Sequence, residues 1–185
     1  MIRRQETIRQ ALREATASAH AQLDTSTANR DLADPREYAE FLQLQFVSRV
    51  CIEAWVEECA PPALQCPSQT ALIAADLVEL GRPQPEIPHK TFSAPAAGAL
   101  GVAWALGGSS LGNRAMLAGL RKREALLPVR FLADEAMPAF FSRLRRTIEQ
   151  PGAGYADLPA AITAAHAVFA RFIEADTALA LKQAA

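Results

Sequence analysis

An all-α bundle is the fold that the sequence predicts, and three observations predict it. Apolar residues recur at three- and four-residue spacing through most of the 185 residues. The alternating β-branched stretches of a half-buried strand do not occur, and alanine and leucine dominate instead. Proline and glycine clusters cut the periodic stretches into pieces of helical length. Half of the residues are apolar, enough to bury a sizeable core in one domain spanning 1–185. The expectation is a compact bundle of about six to eight helices, short ones counted.

Each element follows from its own residues. Ile8, Leu12, Ala15, Ala19 and Leu23 mark one face of a first helix. Asp34, Pro35 and Glu37 supply the N-cap, the first-turn proline and the third-position carboxylate of a second. Tyr38, Phe41, Leu42, Gln45, Ile52, Trp55 and Val56 continue it as an amphipathic stripe that stops at Pro61-Pro62. A third helix starts near Ser68 and is stopped by Gly81. Pro83, Pro85, Pro88 and Pro95 make residues 81–95 a connector, which reads His89 as a loop residue. A fourth helix runs from about Pro95 to Leu120, interrupted by Gly107-Gly108. Pro128 and Pro138 bracket a short segment before "AFFSRLRRTIEQ", and "PGAGYADLP" is a turn. The last helix, from about Leu158 to Lys182, is expected to bury Ile162, Phe169, Phe172 and Ile173.

Charge and cysteine usage narrow the function. A formal charge of -1 gives no basic field for nucleic acid or anionic lipid. Cys51, Cys59 and Cys66 form no CxxC pair, and their odd number fits a reducing cytoplasm. The first residues, "MIRRQETIRQALREA", are too charged for a signal peptide. The longest apolar run, residues 94–106, is too short to span a bilayer. A soluble cytoplasmic protein with no membrane partner is expected. The sequence holds no G-x-S-x-G elbow, no phosphate loop and no helical Glu-x-x-His pair.

Two features are out of place in a plain bundle. His20 sits inside the first helix, in "LREATASAHAQLD", with Thr16 one turn before it. Arg13 lies on the same face, about 10 Å away along the axis. Gly108 and Gly112, in "GGSSLG", fall on one face of the fourth helix and strip it of side chains. Each glycine costs roughly 1 kcal/mol against alanine in a helix interior, a cost that a flat ligand or a close helix contact would offset. A neutral imidazole suits iron, and a guanidinium suits a carboxylate.

These stretches resemble two motifs of haem oxygenases, especially the bacterial, phytochrome-associated enzymes. "LREATASAHAQLD" resembles their proximal helix and "AWALGGSSLGNRAML" their distal helix, at the right separation. "ALIAADLVELG" and "AAHAVFARFIEAD" extend the likeness over nearly the whole chain. The resemblance implies a haem-oxygenase-like bundle with haem between the first helix and a kinked distal helix. It makes His20 the iron ligand, with Thr16 beside it, Arg13 as one propionate partner and Arg146 or Arg143 as a second. It places Gly108, Ser109, Gly112 and Asn113 on the distal side. Haem is then both cofactor and substrate, opened to biliverdin, CO and ferrous iron with O2 and an external electron donor, a ferredoxin or reductase.

The sequence departs from the distal motif at Ala103-Trp104-Ala105-Leu106-Gly107, where a tyrosine and a glutamate are usual, and at Asn113, where a glycine is common. Two rival readings share the fold: a non-catalytic haem binder or sensor, and a thiaminase-like relative, for which no cysteine stands in a matching motif. His166 reads as a core or pocket-edge histidine, "RLRR" at 143–146 as a solvated helix face in the absence of the resemblance, and Trp55 and Trp104 as core.

Overall fold

Thr7 opens the first helix with a reciprocal cap: its hydroxyl accepts from the Gln10 amide, and the Gln10 side chain accepts from the Thr7 amide. The computed structural model describes residues 7–87, 91–149 and 157–183. These form α1 (Ile8–Ala28), α2 (Pro35–Cys59), α3 (Thr70–Glu79), α4 (Ala99–Lys122), α5 (Ala136–Ile148) and α6 (Leu158–Gln183), with single 3₁₀ turns at Pro62–Leu64 and Ala96–Gly98. No strand occurs among the described residues. His89 and most of the 151–159 turn lie outside them.

Local chemistry sets the boundaries. Asp34 caps α2 by accepting from the Arg36 and Glu37 amides. Glu37 reaches past the cap and accepts from the Asp31 amide at 2.6 Å. α3 begins at Thr70, two residues after the expected start, because Glu53 of α2 caps it from outside. That carboxylate accepts from the Gln69 and Thr70 amides and the Ser68 and Thr70 hydroxyls. Gly81, at φ 66°, ends α3 with the paired Gly81–Val78 and Arg82–Leu77 backbone bonds of a left-handed cap.

Two boundaries correct the sequence reading. α4 is continuous through Gly107-Gly108, where an interruption was expected. The Ser109 and Ser110 hydroxyls bond back to the Leu106 and Gly107 carbonyls, and Gly107 lies against Phe141. α5 starts before Pro138, because Asp134 accepts from the Ala136 and Met137 amides and Pro138 stands in the first turn, where no amide hydrogen is needed.

α6 is the central element, packing on α1, α2 and α4. By length and composition it is apolar enough to cross a membrane. Its buried stripe, Ala161, Ala164, Ala165, Val168, Phe169 and Phe172, is covered by those neighbours. Ile162 and Ile173 are half-buried at its edge. A Cβ on Gly101 of α4 would come within 1.7 Å of the Ala161 carbonyl oxygen, so backbone meets backbone there. α1 is the lightest member, burying only Ile8, Leu12 and Thr16. Polar contacts tie its far end to α6: Ser26 and Arg30 both bond Asp176. Trp55 is buried and Trp104 half-buried, at 5.4 Å from the Phe141 ring. Burial pushes the Cys66 thiol up to about 11, while Cys51 and Cys59 are half-buried.

Candidate functional site

Helix periodicity puts Arg9, Arg13, Thr16 and His20 along one side of α1. Thr16 is buried and donates to the Leu12 carbonyl at 2.8 Å, so its hydroxyl is spent inside the helix. His20 is no core histidine: its side chain is 58% exposed. Nδ1 lies 2.8 Å from Asp24 Oδ2, one turn on, and the ring stands 6.1 Å from Phe169 of α6. Nε2 has no hydrogen-bond partner among the described residues. Asp24 was not singled out by the sequence reading, although its spacing of four from His20 is visible there.

On α4, Ala105, Gly108, Ser109 and Gly112 share a face at helical spacing, and none of them is buried. The glycines of this helix divide into two kinds. Gly101 and Gly107 are pressed by neighbours. A Cβ on Gly108 would meet only the Phe141 ring at 3.8 Å, and one on Gly112 only Met116 Cε at 4.0 Å. Close helix packing therefore explains the first pair and not the second. Asn113, one residue on, is turned into the core at 5% exposure.

The two faces stand at one height on α6. Phe169 meets His20. Phe172, less than a turn further, lies 5.8 Å from the Arg49 guanidinium, which in turn donates to Ser109 Oγ at 2.8 Å. Yet α1 and α4 make almost no contact with each other, each being carried by α6.

Arg49 of α2 is the second functional candidate that sequence reasoning passed over. It falls on the apolar stripe one turn after Gln45, a place where an arginine is costly, and that was the available signal. Arg13, Arg143 and Arg146 are exposed. The Arg9–Glu149 ion pair of 2.5 Å brings the end of α5 to the start of the α1 stripe, and Arg145 shares the same carboxylate. Arg143 also lines a shallow groove of about 300 Å³ with Pro62, Gln65 and Phe140. His166, expected in the core or at a pocket edge, is exposed, which rules out the core.

These residues fit a haem. An imidazole with one nitrogen held by a carboxylate and the other unengaged suits iron. A side-chain-free helix face suits a porphyrin plane, and exposed guanidiniums suit propionates. No cluster of three or more metal-ligating side chains occurs among the described residues, and a porphyrin, with its own nitrogens, needs none.

No protein-family model and no curated protein matches the chain. Among solved structures it is similar to the NO- and CO-bound heme oxygenase from Neisseria meningitidis, with a TM-score of 0.70 and 21% identity. The match covers 94% of this chain and 92% of that one. At that identity the likeness is one of architecture, and the chain has the heme oxygenase fold.

Proposed function

We propose that the protein is a haem oxygenase resembling the bacterial, phytochrome-associated enzymes. It takes haem as cofactor and substrate and uses O2 and an external electron donor, in the cytoplasm. One observation carries the reading. Gly108 and Gly112 of α4 have no tight neighbour, and His20 and the Arg49–Ser109 pair lie by Phe169 and Phe172, within one turn of α6. The fold shared with a bacterial heme oxygenase supports it.

The residues divide the work. Asp24 accepts from Nδ1–H of His20, which fixes the tautomer and leaves the Nε2 lone pair for iron. A neutral imidazole pushes less charge onto iron than a thiolate does. Arg13 on α1 and Arg146 or Arg143 on α5 bind the propionates and orient the ring; Thr16 packs beside the ligand histidine. Gly108 and Gly112 leave room over the ring and Ser109 sets a hydroxyl at its edge, while Asn113 is buried on the core side of the helix, away from the ring. Bound haem supplies the oxygen chemistry, whose products are biliverdin, CO and ferrous iron.

Hemin titration tests the proposal. A Soret band should form at one equivalent, then decay with growth of broad red absorption when a reductant is added in air. His20→Ala should abolish turnover and leave the helical circular dichroism intact. A stable Soret under reductant assigns the non-catalytic binder instead, no Soret shift removes haem altogether, and turnover with unchanged spectra in His20→Ala would refute the ligand assignment.

A further inference from the structure

Arg49 is fully buried, yet no carboxylate among the described residues lies within ion-pair distance of it. Burying a charge without a counter-charge costs several kcal/mol, and proteins normally avoid it. Arg49 has partial compensation, from the fields of the Glu53 and Asp134 carboxylates beyond ion-pair distance and from its direct contacts. Nε donates to Gln45 Oε1 at 3.2 Å, Nη2 donates to Ser109 Oγ at 2.8 Å, and the Phe131 and Phe172 rings lie at 5.3 and 5.8 Å. Desolvated stacking of this kind returns about 2 kcal/mol or more, which still falls short of the full cost of burying the charge. Nη1 is buried and has no hydrogen-bond partner among the described residues.

Ser48 and Arg171, near this turn of α2, also hold buried polar atoms without a hydrogen-bond partner among the described residues. These atoms are Ser48 Oγ and the Nε of Arg171, whose Nη2 donates to the Val47 carbonyl. Arg171 likewise has no carboxylate in ion-pair distance. Arg49 already gives Nε to the Gln45 side-chain carbonyl. It spends one fork on the hydroxyl that stands between Gly108 and Gly112 and keeps the other.

We infer that Arg49 is a ligand-binding residue: its guanidinium, anchored on Ser109, reserves a buried donor for a small anionic or oxygen-bearing ligand bound over the Gly108–Gly112 face. The inference rests on the haem reading of that face. The positive charge selects acceptors, and the fixed fork gives it direction, which a lysine ammonium lacks.

Fluoride is a suitable probe, being a small anion that binds ferric haem and accepts hydrogen bonds strongly. The experiment compares the wild type with Arg49→Met and Arg49→Lys. It measures the melting temperature of the ligand-free protein, the hemin affinity, and fluoride affinity of the ferric haem-loaded protein by absorbance. Arg49→Met should melt at or above the wild-type temperature, since an apolar chain of similar length replaces an unpaired buried charge. Its hemin affinity should hold, while its fluoride affinity falls about tenfold or more, the loss of one charge-assisted hydrogen bond. Arg49→Lys should lose a similar factor, and it decides the matter if the methionine variant does not fold. Unchanged fluoride affinity in either folded variant, with a normal Soret band, overturns this inference alone. A wild type that shows no Soret shift overturns the haem reading and this inference with it.

Discussion

Two glycines of α4 carry opposite expectations. Gly101→Ala forces a methyl group into the Ala161 carbonyl, which is backbone and cannot swing away; it should cost about 3 kcal/mol in urea unfolding. Gly112→Ala meets open space in a regular helix and should stabilise the ligand-free protein by about 1 kcal/mol while weakening hemin binding. Destabilisation by Gly112→Ala would show that the face is packed and not open. At this scale the sequence was informative where a residue type violates its surroundings: a lone helical histidine, paired glycines in an apolar run. It was silent on which glycines touch a neighbour, because that depends on where Ala161 and Phe141 arrive from distant parts of the chain. For the same reason the choice between core and pocket edge was open for His166: its periodicity put it on the α6 stripe, and only the packing of α1, α2 and α4 decides which edge of the stripe stays wet.

The helices themselves were largely legible, and their ends less so. Ends that use their own residues were readable: Asp34 before α2, Gly81 after α3. Ends that borrow were not. Glu53 caps α3 from another helix, and α4 ends through Glu124 in the left-handed region at φ 54°, a place where glycine is the readable signal. The strongest borrowed contact is Asp76 of α3, fully buried, which accepts from the Arg130 and Phe131 amides and from the Arg130 guanidinium. It fastens the stretch between α4 and α5 to the bundle. Asp76→Ala leaves those amides without acceptors and should lower unfolding free energy by about 3 kcal/mol, read as a shifted urea midpoint at constant slope.

Taken whole, the molecule is a set of helices hung on α6, and its halves are unequally held. α2 buries twelve side chains, from Tyr38 to Val56, and α1 buries three. The cooperative unit therefore centres on α2, α4 and α6, and the all-α class follows from their composition alone. That α1 and α4 both pack on α6 more than on each other did not follow from it, since a periodic pattern says which face is apolar and not what stands opposite.

The shallow seating of α1 makes it a hatch. With few buried side chains, it should lift from α6 without the rest unfolding, so its amides should take up deuterium at least about tenfold faster than those of α4, a difference of roughly 1.4 kcal/mol in opening free energy. Hemin bridging the two helices should slow that uptake toward the rate of α4. Equal uptake without hemin would mean that the hatch is bolted shut, and entry of a rigid disc would then have to come from some other side.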